Sequence, residues 1–154
     1  MPARKLISFL DEQGIKYVTV RHSTAFTAQE IAASAHVSGK EFAKTVVVDL
    51  DGDFVLAVVP ATRHVDLESL RQAAGAARAE LPTEESFRGR FPDCQPGAMP
   101  PIGLLYDMQV YADPALAQEA AIAFNAGTHT ELVRMRFEDF KRLAAPTMVE
   151  ITAD

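Results

Sequence analysis

Lys44 stands where a charge is least expected, in the run Phe42-Ala43-Lys44-Thr45-Val46-Val47-Val48. An ammonium in so apolar a segment must reach solvent or meet a partner, because burying it unpaired is costly. It is either a snorkelling edge-strand lysine or a contact for an anion or carbonyl at the rim of a pocket. The loop Gly97-Ala98-Met99-Pro100-Pro101-Ile102-Gly103 is the second place for chemistry. Prolines and glycines can hold backbone N–H groups toward a developing negative charge, although the same composition also makes a plain stiff connection. The third is Asn125-Ala126-Gly127-Thr128-His129-Thr130, which puts small polar groups at a turn. His129 there can orient a substrate, relay a proton, or serve as a hydrogen-bonded structural residue.

Other candidates carry less. His22, His36 and His64 have no spacing that reads as a metal site, and Cys94 has neither Cys nor His beside it. No metal or other cofactor is expected. The nucleophile elbow Gly-x-Ser-x-Gly, the phosphate loop and the dinucleotide fingerprint are all absent. Cys94 as a nucleophile has only a loop address behind it.

The elements that must position these residues are legible from periodicity. Leu6, Ile7, Phe9 and Leu10 share one face of a helix over 3–13, and Gly14 is its stop. Residues 17–20 read as a strand. Thr27 and Glu30 form a capping box opening a helix to about Ala35. Strands over 42–50 and 54–59 are joined by Asp51-Gly52, a tight hairpin signal. Asp66 caps a helix to Ala74, and Thr83 begins another that ends near Gly89. Residues 91–103 form an irregular loop. Strands are expected at about 104–111, 119–125 and 131–135, then a helix over 137–143 and a last short strand that includes 148–151. The pattern predicts one α+β domain over 1–154 with a central mixed or antiparallel sheet.

Bulk composition narrows the class. With 154 residues, the chain fits one domain and is long enough to fold without disulfide or metal. It has no apolar run approaching a membrane span, and its single cysteine suits a reducing cytoplasm. The net charge of −6 argues against a broad nucleic-acid-binding surface, since phosphate contacts dominate such affinity. It leaves room for local contact with the tip of a tRNA.

Taken together, the patches resemble the YbaK/prolyl-tRNA-synthetase-associated editing domain. The likeness runs from His22 and Thr27-Ala28-Gln29-Glu30-Ile31-Ala32, through Ala43-Lys44-Thr45-Val46-Val47 and Leu56-Ala57-Val58-Val59-Pro60-Ala61. It continues with the Gly-x-x-x-Pro loop, Gly97-Ala98-Met99-Pro100-Pro101, followed by Ile102-Gly103, and ends in a late Gly-x-His turn, Gly127-Thr128-His129. The resemblance implies a hydrolase that frees a wrong amino acid from the acceptor end of a mischarged tRNA. A ribose hydroxyl of the substrate would activate the water, so no catalytic triad is needed.

It also implies roles. Lys44 would hold the terminal phosphate or ribose, and the backbone from Gly97 to Pro101 would surround the reacting carbonyl. Ala98, Met99 and Gly103 belong to that loop. Gly127, Thr128 and His129 would line the amino-acid pocket, with His22 and Thr45 also on the substrate side. Alanine-specific free-standing members carry Asn after the lysine where this chain has Thr45, so Ala, Ser, Thr and Cys all stay open as substrates. A synthetase or elongation factor is a candidate partner, and no membrane is. Two other readings are weighed against the hydrolase: a tRNA-binding module without turnover, and a hydrolase of another small ester. A tRNA substrate predicts that some of Lys40, Lys44, Arg63, Arg71, Arg88 and Arg90 ring one pocket.

Overall fold

The computed structural model describes residues 2–25 and 27–153. The N-terminal apolar stripe forms α1 (Arg4–Glu12), which fully buries Leu6 and Leu10 and half-covers Ile7 and Phe9. Gly14, at φ +67°, provides the left-handed turn into β1 (Tyr17–Arg21). The box at α2 (Ala28–Ser34) is reciprocal. The Thr27 hydroxyl accepts the Glu30 N–H at 3.1 Å, and the Glu30 carboxylate accepts the Thr27 N–H at 3.2 Å.

Asp51 and Gly52, both at positive φ, turn β2 (Ala43–Leu50) into β3 (Asp53–Pro60). The Asp51 carboxylate also accepts the backbone N–H groups of Ala77 and Arg78, tying the hairpin tip to the chain beyond the next helix. Those bonds hold its pKa below the ordinary 3.8. The stabilisation is therefore complete above that value and is lost as the pH falls through the lower folded one. Asp51→Ala should lower Tm at neutral pH, and wild type and variant should converge in acid; a gap that persists unchanged at low pH would mean the carboxylate charge is not what acts.

After β4 (His64–Val65), Asp66 caps α3 (Leu67–Ala74) by accepting from the Glu68 and Ser69 N–H groups. A short β5 (Ala79–Glu80) pairs with the end of β2. The helix expected from Thr83 changes type midway: α4 (Glu84–Phe87) tightens into a 3₁₀ turn over Arg88–Arg90.

The strand expected over 104–111 is mostly absent. Gly103–Tyr106 is a 3₁₀ turn and Asp107 is left-handed, so only β6 (Val110–Ala112) joins a sheet. The Met108 N–H donates to the Gly103 carbonyl at 2.9 Å, closing a turn that withdraws these residues from the ladder. A 3₁₀ helix over Pro114–Gln118 leads to β7 (Ala121–Thr128), β8 (Glu131–Arg136) and α5 (Phe137–Ala144). The last strand, expected to include 148–151, is instead two pieces, β9 (Thr147–Met148) and β10 (Thr152–Ala153). Val149 N–H still donates to the Ala112 carbonyl as a rung beside β6, whereas Ile151 N–H donates to the Asp113 carboxylate, which takes the chain off the strand path.

The expected α+β class holds. A mixed sheet runs in the order β5-β2-β3-β6-β9, and an antiparallel one in the order β1-β8-β7. A parallel bridge between Phe42 and Ala123 joins them, with the Ala123 N–H donating to the Glu41 carbonyl at 2.9 Å. The main core lies on one side of this junction, and Ile31 and Ala32 of α2 pack with Phe42 and Ala123 on the other.

Candidate functional site

The site is built on that junction. Successive side chains of a strand point to opposite faces. Lys44 and Asn125, each two residues past the Phe42–Ala123 bridge, therefore project from the same face as those buried residues. Asn125 is in register with Leu132, and Leu132 with Val20. His22, two residues beyond Val20, extends that face, its N–H donating to the Thr130 carbonyl at 2.9 Å. Thr45 projects the other way, with Ala43 and Val47 and opposite Val58.

Lys44 is half-buried, and its ammonium donates to the Arg63 carbonyl at 2.9 Å. Burial pulls its pKa below the usual lysine value. Arg63 and Lys40 line a cleft of about 230 Å³ with Gln118 and Glu119. Of the six cations expected to ring one pocket, Lys40 and Arg63 line this cleft, and Lys44 is tied to Arg63 only through the backbone carbonyl. Arg71 instead pairs with Glu68 on α3, Arg88 is exposed, and Arg90 lies over the Phe54 ring.

Two acceptors on the Lys44 face are uncommitted. The His22 Nδ1 is 2.7 Å from the Ser23 carbonyl oxygen. A carbonyl only accepts, so Nδ1 carries a proton, and in the neutral ring Nε2 is then an acceptor. That Nε2 is buried with no hydrogen-bond partner among the described residues, and so is Asn125 Oδ1.

The Gly97 loop and the β7–β8 turn form one tied unit. Gln95 N–H donates to the Gly127 carbonyl at 2.7 Å, and Gly127 N–H to the Ala98 carbonyl at 2.9 Å. The Gln95 side-chain oxygen accepts the His129 N–H at 2.8 Å. His129 Nε2 lies 2.6 Å from the Pro96 carbonyl, which fixes the proton on that nitrogen. Gly97 is at φ +81°, and a Cβ there would touch the His129 ring at 3.5 Å. The Ala98 N–H is already engaged by the Gln95 carbonyl at 3.0 Å. Gly127 faces the N-terminal segment: a Cβ there would lie 2.7 Å from that of Ala3. Thr128 Oγ donates to Glu131. Met99, Pro101 and Gly103 are buried behind the loop.

Residues 22–143 match the aminoacyl-tRNA editing domain family. The chain belongs to that family. It is 28% identical to the multifunctional Ser/Thr-tRNA deacylase ProXp-y of Escherichia coli (strain K12), over 95% of this chain and 90% of that one. It is 36% identical over 70% of its length to a proline–tRNA ligase of Streptomyces coelicolor, of which it matches 19%. A solved structure described as a candidate trans-editing enzyme for prolyl tRNA synthetase superposes with a TM-score of 0.84 at 22% identity, covering 99% of this chain and 97% of that one.

As an editing domain, the chain has no activated thiol. Burial pushes the Cys94 pKa up to about 11, so the thiol stays protonated at neutral pH. Among the described residues no three His, Cys, Asp or Glu side chains gather to hold a metal ion. No helix among them is long and apolar enough to cross a membrane.

Sequence reasoning missed two supports of this editing domain. Gln95, which clamps His129, carries no signal in a loop of prolines. Asp113 is 3% exposed, and its carboxylate accepts from Ala115 N–H, Ile151 N–H and the Thr152 hydroxyl. The Asp113-Pro114 pair, an N-cap followed by proline at the first helical position, was the signal that could have found it.

Proposed function

We propose that this editing domain acts in trans, in the cytoplasm, on tRNA mischarged with a small amino acid, serine or threonine before alanine or cysteine. The observation that carries the proposal is local. In a chain of net charge −6, Lys40 and Arg63 line one cleft, and the Lys44 ammonium is bonded to the Arg63 carbonyl at its edge of the sheet. A few cations at one place suit the phosphates of an acceptor end. The preference for serine and threonine is supported by the near full-length similarity to the Escherichia coli deacylase.

Water would attack the ester carbonyl carbon, assisted by a hydroxyl of the terminal ribose. The bond from that carbon to the esterified ribose oxygen breaks, the oxygen takes a proton, and free amino acid and tRNA leave. Lys44 would exchange its Arg63 carbonyl for the phosphate or ribose. The backbone at Gly97 to Pro101 would face the carbonyl, and His129 would act by holding that loop through Pro96. Positioning and fixed dipoles of this kind supply several kcal/mol without a nucleophile–base pair. Selection of the tRNA by a synthetase or elongation factor fits the small number of cations.

The test is release of amino acid from tRNAs carrying Ser, Thr, Ala, Cys or Pro. Fastest release from Ser- or Thr-tRNA is expected. Binding of tRNA without release from any would mark a binding module. Neither release nor binding, with turnover of a small ester, would mark the other hydrolase.

A further inference from the structure

A buried polar group without a partner lowers stability, and a native one calls for a reason. Asn125 is such a group, and its place narrows the reason. Its side-chain oxygen is closed off with no partner among the described residues, on the sheet face that carries Lys44 and His22. The oxygen accepts, so whatever completes it is a donor. An ammonium donor would be repelled by the Lys44 charge on the neighbouring strand, whereas a neutral hydroxyl would not. His22 Nε2, a second lone pair without a partner on that face, asks for the same chemistry.

We infer that Asn125 is a specificity-determining residue whose side-chain oxygen accepts a hydrogen bond from a substrate hydroxyl, with His22 Nε2 as a second acceptor on the same face. This rests on the deacylase reading, and the hydroxyl has two sources, the side chain of a seryl or threonyl group or the terminal ribose. A site built to hydrogen-bond a hydroxyl discriminates strongly against a ligand lacking it, because its own polar group is then left unpaired.

The test uses the full chain and two probes that cannot turn over, the 3′-amide analogues of seryl- and alanyl-adenosine, with wild type, Asn125→Ala and Asn125→Asp. Wild type should bind the seryl analogue more tightly if the side chain supplies the hydroxyl, and both analogues alike if the ribose does. In the first case Asn125→Ala weakens the seryl analogue alone, by about tenfold or more; in the second it weakens both to that extent. In either case removing an unpaired buried oxygen leaves Tm unchanged or raised by a few degrees, roughly, and Asn125→Asp, which keeps an acceptor, restores binding. Binding unchanged in Asn125→Ala overturns the inference. So does a joint fall of Tm and binding that Asp does not restore, which would make Asn125 a packing residue. Because the probes report binding, a wild type that binds them but releases no amino acid from any tRNA sinks the deacylase reading and leaves this one standing.

Discussion

Lys44→Met is expected to lower kcat/KM for deacylation of the preferred tRNA by about 10²–10³-fold, the range for removing one well-placed electrostatic contact from a transition state. Methionine keeps most of the apolar stem and removes the ammonium, with its charge and its donors. The native ammonium is half-buried and donates to a neutral carbonyl, that of Arg63. A neutral partner compensates such a charge poorly, so Met should leave Tm unchanged or slightly higher. Loss of activity without loss of stability separates a substrate contact from a snorkelling lysine, for which both would stay near wild type. A parallel fall of activity and Tm would instead give Lys44 a structural task.

A pH profile sharpens the same experiment. Burial lowers the Lys44 pKa, so the alkaline limb of wild-type activity should begin below the usual lysine value of 10.5. Lys44→Arg, whose guanidinium stays charged throughout, should flatten that limb. If the limb persists in the Arg variant, another group controls it.

Much of this fold was legible because its elements are locally encoded. The Thr27–Glu30 box, the Asp51-Gly52 turn and the Asp66 cap each satisfy their own backbone within a few residues, and each formed where its residues stand. The errors lie where distant groups decide. Ile151 has a strand-forming side chain, but the Asp113 carboxylate, nearly forty residues earlier, takes its N–H group. Leu104 to Tyr106 read as a strand until the Met108 N–H closes back on Gly103.

The candidate site divides in the same way. Lys44 declared itself as a charge inside an apolar run, and Gly97 and Gly127 as glycines at a loop and a turn. That Thr45 faces away from Lys44 follows from strand alternation and could have been read. That Asn125 falls beside Lys44 could not, since it depends on the Phe42–Ala123 bridge between strands almost eighty residues apart. The His129 tautomer likewise needs the Pro96 carbonyl, which only the tied loop brings to it.

Gly103→Ala should be the most destabilising of the glycine-to-alanine substitutions, at about 3 kcal/mol or more, the upper range for forcing an extra methyl into a packed interior. A Cβ at Gly103 would overlap the Met108 carbonyl oxygen and lie 2.7 Å from Val110 Cγ2. The first clash is with backbone, so no rotamer change relieves it. The Gly103–Met108 turn must open, and with it the start of β6, which pairs with β3 through Val110. For a chain of this size the loss amounts to a fall in Tm of roughly 6–12 °C. Gly103 was expected on the substrate side of the Gly97 loop, and this experiment separates the two roles. As a packing position it should lose Tm and activity together, with activity recovering on cooling as the folded fraction returns. As a substrate contact it would lose activity at every temperature while Tm held. The burial of Gly103 against Met108 and Val110 favours the first outcome.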